Sequence, residues 1–355
     1  MNVIDFFCGC GGASKGLELA GLNVSLGIDF DPDAAATYQA NFPNAEFILD
    51  DVRNISVVDV ISKVPNLTEE PLLLCTCAPC QPFSNQNNKR SESDIRRTLL
   101  DETHRFILAL NPEYILLENV PGMQNVNPEI EGPFCRFLSF LSDNGYQYIK
   151  FIANSEDYGV PQKRKRLVLV ASRLGAIDEP KKTHGEDGLP FVTVRDAIGM
   201  LPPIKAGQTC DKDPIHKCSN LQAINIERIS LTPEGGDRRD WPSHLINKAH
   251  KGYKGHYDTY GRMSWDKLSP TLTTKCHGYS NGRFGHPDTN QNRAISAREA
   301  ANIQTFPSDY IFKGALTSIT KQIGNAVPCE LARNFGLGIL HHFNQVQEGQ
   351  NNGSD

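Results

Sequence analysis

Cys80 stands between two prolines in Ala78-Pro79-Cys80-Gln81-Pro82-Phe83-Ser84, directly after the apolar run Leu72–Cys77. Three kinds of chemistry use a cysteine so placed. As a metal ligand it would join Cys75 and Cys77, but strand alternation puts those two on one face and leaves Cys80 in the loop. No fourth ligand is close in sequence, and no metal is assigned. A zinc nucleobase deaminase needs Pro-Cys-x-x-Cys after His-x-Glu, and Phe83 occupies the second cysteine position. The third use is as a nucleophile in a stiffened loop. Little of a free thiol is thiolate at neutral pH, so a nucleophile needs cationic neighbours, for which Arg164 and Arg166 are candidates. Glu118 follows the run Tyr114–Leu117, where a partly desolvated carboxyl suits an acid catalyst or, more blandly, a helix cap.

A second constellation lies further upstream. Asp5-Phe6-Phe7-Cys8-Gly9-Cys10-Gly11-Gly12 follows the first apolar run, and glycines there let backbone approach a ligand at the carboxyl end of a sheet. Ser14 stands where a dinucleotide fingerprint needs Gly or Ala, which disfavours pyrophosphate. Asp29 ends the second run and Asp50-Asp51 the third, placing acids where ribose hydroxyls are usually held. Tight turns and helix caps explain any one of these features; the three in order point to a nucleoside carrying little negative charge.

These residues need a scaffold that brings run ends together. Strands are expected at Val3–Phe7, Leu22–Ile28, Ala45–Leu49, Leu72–Cys77, Tyr114–Leu117, Tyr148–Ala153 and Leu167–Ser172, several almost wholly apolar, as in a sheet covered on both faces. Asp31-Pro32 reads as a helix cap and first turn. The alternation predicts an α/β fold with a doubly wound, mostly parallel seven-stranded sheet. After Gly175 the texture turns loop-rich, with Gly, Pro, His and both tryptophans; regularity returns at the capping box Ser296-Ala297-Arg298-Glu299 and in a last helix after Pro328 with Leu331, Phe335 and Ile339 on one face. The expected division is an α/β domain at 1–174, a smaller loop-rich domain at 175–290, helices returning to the first domain at 291–344, and a frayed tail at 345–355.

With 39% hydrophobic and 22% charged residues, the 355-residue chain excludes collagen, coiled coil and wholesale disorder. A net charge of −5 means that any polyanion is met by local basic patches. No stretch reaches the roughly 18–20 apolar residues of a membrane span. Ten cysteines without a secretion signal lead to the expectation of reduced thiols and a cytoplasmic location.

Taken in order, Phe7-x-Gly9-x-Gly11-Gly12, Pro79-Cys80-Gln81, Glu118-Asn119-Val120, Gln162-x-Arg164-x-Arg166, Arg298-Glu299 with Gln304-x-Phe306-Pro307, and Gly324-Asn325-Ala326-Val327-Pro328 resemble the bacterial and phage DNA (cytosine-5)-methyltransferases, which share the class I S-adenosylmethionine-dependent fold. The resemblance implies S-adenosylmethionine as cofactor, S-adenosylhomocysteine as product, and contacts from Phe7, Gly9, Gly11, Asp29, Phe30, Asp51, Val52, Pro79 and Asn325. It implies a flipped cytosine attacked at C6 by Cys80, with Glu118 on N3 and the exocyclic amine, Arg166 on O2, and Arg164 orienting Glu118. Gln81–Leu99 would close over the DNA, with Gln81, Ser84, Lys89, Arg90, Arg96 and Arg97 facing it. The chain departs from the family pattern in having Cys77-Ala78 before Pro-Cys, Asp29 for the commoner Glu, Arg97 for a glycine and Ser296 for Thr.

In the recognition region, Arg238, Arg239, Arg262 and Arg283 interleave with aromatics, and Thr271-Leu272 resembles the family's threonine-leucine element. Arg262, Thr271, Leu272 and Arg283 are the expected DNA contacts, although about half of the aromatics should be core. The expected partner is double-stranded DNA, the expected state a monomer, and a cognate restriction endonuclease would act at the same site. Two rivals remain: a tRNA methyltransferase of the same family, and a metal or redox protein built on Cys8, Cys10, Cys75, Cys77 and Cys80. Cys80→Ser should abolish methyl transfer from labelled S-adenosylmethionine to DNA while cofactor binding survives; undiminished turnover would remove Cys80 as nucleophile.

Overall fold

The seven apolar runs form strands β1 (Asn2–Phe6), β2 (Asn23–Asp29), β3 (Glu46–Leu49), β4 (Leu72–Thr76), β5 (Tyr114–Asn119), β6 (Gln147–Asn154) and β7 (Lys165–Ser172). They belong to one sheet in a computed structural model that describes residues 1–64, 69–78, 98–125, 132–186, 188–248, 255 and 257–352. Spatial order is β3-β2-β1-β4-β5-β7-β6. The first five are parallel, and β7 runs antiparallel to both β5 and β6. The doubly wound α/β expectation is thus met. One boundary shifts: Glu118 lies within β5, because pairing with β7 continues through Glu118↔Val168 and Asn119↔Leu167.

Crossover helices are α1 (Gly12–Leu19), α2 (Pro32–Asn41), α3 (Val57–Lys63), α4 (Thr103–Leu110) and α5 (Pro133–Asp143). The Asp31 side chain accepts from the amides of Asp33 and Ala34, and Pro32 opens α2, so cap and first turn are as read from sequence. Core side chains from β1, β4, β5 and β7 pack with Phe106, Phe134 and Phe137 of α4 and α5.

The chain divides into two units: Met1–Tyr158 with Lys165–Thr183 and Val327–Asp355, and Gly159–Arg164 with His184–Ala326. The second unit contains α6 (Val194–Ile198), α7 (Ala223–Ser230), the ribbon β8 (Thr209–Cys210) and β9 (Asp213–Lys217), α8 (Ala297–Ile303) and α9 (Leu316–Asn325), joined by long irregular segments. Residues 291–326 belong to this unit, so only α10 (Cys329–Asn352) returns to the first. That helix continues through Asn352, across most of the segment expected to fray.

Leu331, Phe335 and Ile339 are buried, as their helical spacing requires. Each contributes about 1.5–3 kcal/mol of burial. Close approach of α1 and α10 depends on Gly16: a Cβ there would stand 2.6 Å from Ala332 Cβ and 2.8 Å from the Arg333 amide, and would overlap the Cys329 carbonyl oxygen. Backbone cannot yield as a flexible side chain does, so Gly16→Ala should cost about 1–3 kcal/mol in urea unfolding. Gly349→Ala, a helical position where nothing lies within 4 Å, is the control and should not destabilise, gaining up to about 1 kcal/mol.

Candidate active site

The glycine loop leaves β1 through left-handed backbone at Phe7 (φ 61°), Gly9 (φ 53°) and Gly11 (φ 88°). A Cβ on Gly9 would meet nothing within 4 Å, so the backbone there borders open space. Asp29, at the end of the adjacent β2, fixes this loop by accepting from the Gly9 amide at 2.8 Å and from the Asp31 amide at 2.9 Å. Burial raises the Asp29 carboxyl above its ordinary range, partly offset by those two amides. Phe30 projects beside it with 63% of its surface exposed, unusual for a phenylalanine. On the next strand end, Asp51 is held by Arg53, Nε at 2.9 Å from Oδ1 and Nη2 at 2.5 Å from Oδ2, which lowers its carboxyl below the usual range. Val52 is buried in the core. Five of the expected cofactor residues, Phe7, Gly9, Gly11, Asp29 and Phe30, thus share one loop system, with Asp51 and Val52 following the neighbouring β3. Asn325 is exposed at the end of α9 in the second unit, and Pro79 lies outside the described residues.

Cys80 also lies outside the described residues, as do Gln81, Ser84, Lys89, Arg90, Arg96 and Arg97. The chain leading to Cys80 is fixed by Asn119, whose Nδ2 donates to the Ala78 carbonyl at 2.9 Å. That bond ties the β4 exit to the strand carrying Glu118. Arg166 Nε lies 2.7 Å from Glu118 Oε1, an ion pair with both side chains 11% exposed. The pairing differs from the expectation that Arg164 orients Glu118. Arg164, buried in the second unit, directs its guanidinium at the Gly324 carbonyl (3.4 Å) and the Ala326 carbonyl (3.1 Å). Gln162 donates to Gln304 at 2.8 Å and accepts from the Leu272 amide at 2.9 Å. Blocks separated by more than a hundred residues in sequence therefore close into one buried polar knot.

In the second unit, Arg262 corrects an expectation. Expected to contact DNA, it is instead wholly buried and donates to the carbonyls of Thr232, His286, Asp288 and Ile229 and to the Asn292 side chain. Irregular chain leaves carbonyls without ladder partners, and one guanidinium satisfies several. Arg283 braces similarly, bridging Asp258, Asp237 and the carbonyls of Gly235 and Gly236. Leu272 is buried, and Thr271 Oγ1 donates to the Lys163 carbonyl at 2.6 Å. Arg239 differs: it is exposed, paired with Asp237, and lies over the Tyr257 ring at 4.4 Å. Trp241 and Tyr279 are core.

A buried polar chain lies beneath the glycine loop. Ser14 Oγ donates to Asp5 Oδ2 at 2.6 Å and lies 3.1 Å from the Tyr38 hydroxyl, which explains a serine where a dinucleotide loop has Gly or Ala. Its signal was the acid within an otherwise apolar first strand. The sulfurs of Cys75 and Cys77 lie 4.0 Å apart, within 4.8 Å of an Asp5 oxygen. The neighbouring Cys77 thiol and burial hold Cys75 well above the ordinary thiol range, so it stays protonated.

Burial pushes the Asp5 carboxyl up to about 7 from 3.8. A folded-state pKa above the unfolded one favours the protonated acid in the fold. Its stabilisation is full below about pH 4 and is lost as pH rises toward 7. Asp5→Asn should therefore gain on the wild type across that interval in urea midpoints measured at each pH; a constant difference would refute this.

The family model for C-5 cytosine-specific DNA methylase matches residues 1–341. The chain is 41% identical to the Type II methylase M.HgiDII of Herpetosiphon aurantiacus, over 98% of this chain and 97% of the relative. It is 34% identical to the Type II methyltransferase M.PspPI of a Psychrobacter strain, over 97% and 80%. A solved E. coli prophage protein described as a DNA modification methyltransferase shares the fold, with TM-score 0.75, 24% identity and coverage of 97% and 99%. The chain belongs to the C-5 cytosine-specific DNA methylase family and is thereby a DNA (cytosine-5)-methyltransferase.

Proposed function

We propose that the chain binds S-adenosylmethionine at the glycine loop and methylates C5 of a cytosine flipped out of double-stranded DNA, as the modification enzyme of a Type II restriction-modification system. The observation that carries the cofactor reading is the cradle at Gly9: bare backbone beside open space, an acid fixed by two amides, and an exposed phenyl ring alongside. Those residues fit a nucleoside. Phe30 offers a face for adenine, Asp29 and Asp51 accept hydroxyl or amine protons, and Gly9 and Gly11 admit close backbone approach. When bound, S-adenosylmethionine supplies an electrophilic methyl group.

The chain's own residues do the rest. Cys80 adds as thiolate to C6 of the flipped ring, so that C5 acquires carbanion character. Glu118, held by Arg166, meets N3 and the exocyclic amine and offsets the charge that develops on the ring. Arg166 also contacts O2 of the same base. After C5 is methylated, a water molecule takes its proton as base, the C6–S bond breaks to release Cys80 as thiolate, and the 5,6 double bond is restored. Asn119 aims the β4 exit at this rim through its bond to Ala78. Arg164 acts at a distance, holding the 324–326 turn that precedes Val327 and Pro328.

The first unit is the cofactor-binding and catalytic body, and the second is the target-recognition body. Arg239 and Tyr257 offer an exposed cation and aromatic for backbone or base contact. The Type II names of the relatives at 41% and 34% identity favour DNA over tRNA. No helix of the described residues is long and apolar enough to cross a membrane. We assign a monomer working in the bacterial cytoplasm beside an endonuclease of the same site.

Expression in a host free of 5-methylcytosine, followed by sequencing of its DNA, should reveal 5-methylcytosine in one short sequence context. Purified protein should transfer labelled methyl to duplex DNA containing that context. Label appearing in tRNA and not in DNA would overturn the assignment.

A further inference from the structure

We infer that Arg105 is a positioning residue of the cofactor site, setting affinity for S-adenosylmethionine without touching it. This deepens the reading that Asp51 and Val52 face the cofactor and rests on it. Arg105 lies on α4, fifty residues beyond the turn that leaves β3. Its Nη1 donates to the Ile55 carbonyl and its Nη2 to the Val52 carbonyl, each at 2.6 Å.

The two carbonyls are three residues apart and both face one planar guanidinium. A rigid fork bridges such a pair; a single ammonium cannot hold both in the same geometry. The fork is itself oriented. Glu102 lies 3.5 Å from Nε, and the guanidinium carbon sits 4.1 Å from the Phe106 ring centroid. The turn is thus gripped from two sides, by the buried side chains of Val52 and Ile55 in the core and by Arg105 at their carbonyls. Within it the Asn54 amide donates to the Asp51 carbonyl at 2.8 Å, and Arg53 orients the Asp51 carboxylate. Arg53 fixes the acid's side chain, and Arg105 fixes the backbone from which it projects. Without the fork the turn samples other conformations, and bound cofactor must pay to order it.

The test uses the full chain. S-adenosylmethionine binding by calorimetry, and KM for cofactor and for DNA, are compared for wild type, Arg105→Ala, Arg105→Lys and Asp51→Ala. Arg105→Ala should raise both Kd and KM for the cofactor about tenfold. Its kcat and its KM for DNA should stay within about twofold of wild type, a split that a general loss of structure would not give. Arg105→Lys keeps the charge and the stem, and should move cofactor affinity in the same direction by less. It is the variant to read should Arg105→Ala fail to fold by circular dichroism. Weakened binding in Asp51→Ala with wild-type affinity in the Arg105 variants overturns the inference and leaves the cofactor reading standing. Wild-type affinity in all three overturns both. A fall in kcat with cofactor KM unmoved also overturns the inference.

Discussion

The hydrogen-bond ladder of the seven-stranded sheet gathers the site. Five parallel strands deliver their carboxyl ends to one rim, so the glycine loop, Asp29, Asp51, the approach to Cys80 and Glu118 arrive together though they span more than a hundred residues. The seventh strand completes the set by running the other way. Because β7 is antiparallel to β5, its amino end meets the same rim, and Arg166 falls beside Glu118. A parallel β7 would carry its first residues to the opposite edge, leaving the carboxylate without its cation.

Around that rim the carboxyl groups are held in different ways. Asp29 is largely enclosed and satisfied by backbone amides, Asp51 sits near solvent under an arginine clamp, and Glu118 is sparsely exposed and paired with Arg166. Beneath them Asp5 is buried with only neutral donors, and its carboxyl is pushed toward neutrality. A buried charge persists only where a cation or several amides compensate the lost water. The same rule operates in the second unit, where Glu299, buried, is paired with Arg293 and His286 and held far below the carboxylate range.

The second unit shows what arginine does when regular structure is scarce. Long irregular chain exposes carbonyls that no ladder satisfies, and Arg262, Arg283, Arg164 and Arg293 turn inward to serve them. An arginine among aromatics has the same appearance in sequence whether it braces a loop or faces a phosphate. Only burial separates the two roles: Arg262 is wholly enclosed, and Arg239 is exposed.

The strands, the glycine loop with its following acids, the caps at Asp31 and Ser296, and the buried face of α10 are all legible in the order of residues. Each is written in neighbouring residues: apolar runs, residue types that suit caps and turns, and helical spacing. The ordered blocks determined the family as well, because their types and order carry the chemistry. The pairings arise only on folding. Arg166 rather than Arg164 meets Glu118 because Arg166 lies within β7 beside β5, whereas Arg164 precedes the strand and turns to the carbonyls of Gly324 and Ala326. Arg105 reaches the turn after β3 because α4 packs against α3, which follows that turn. Asp5 acquires its raised pKa from burial that strand composition does not quantify. Those outcomes depend on which surfaces face each other and on how far water is excluded, and local spacing encodes neither.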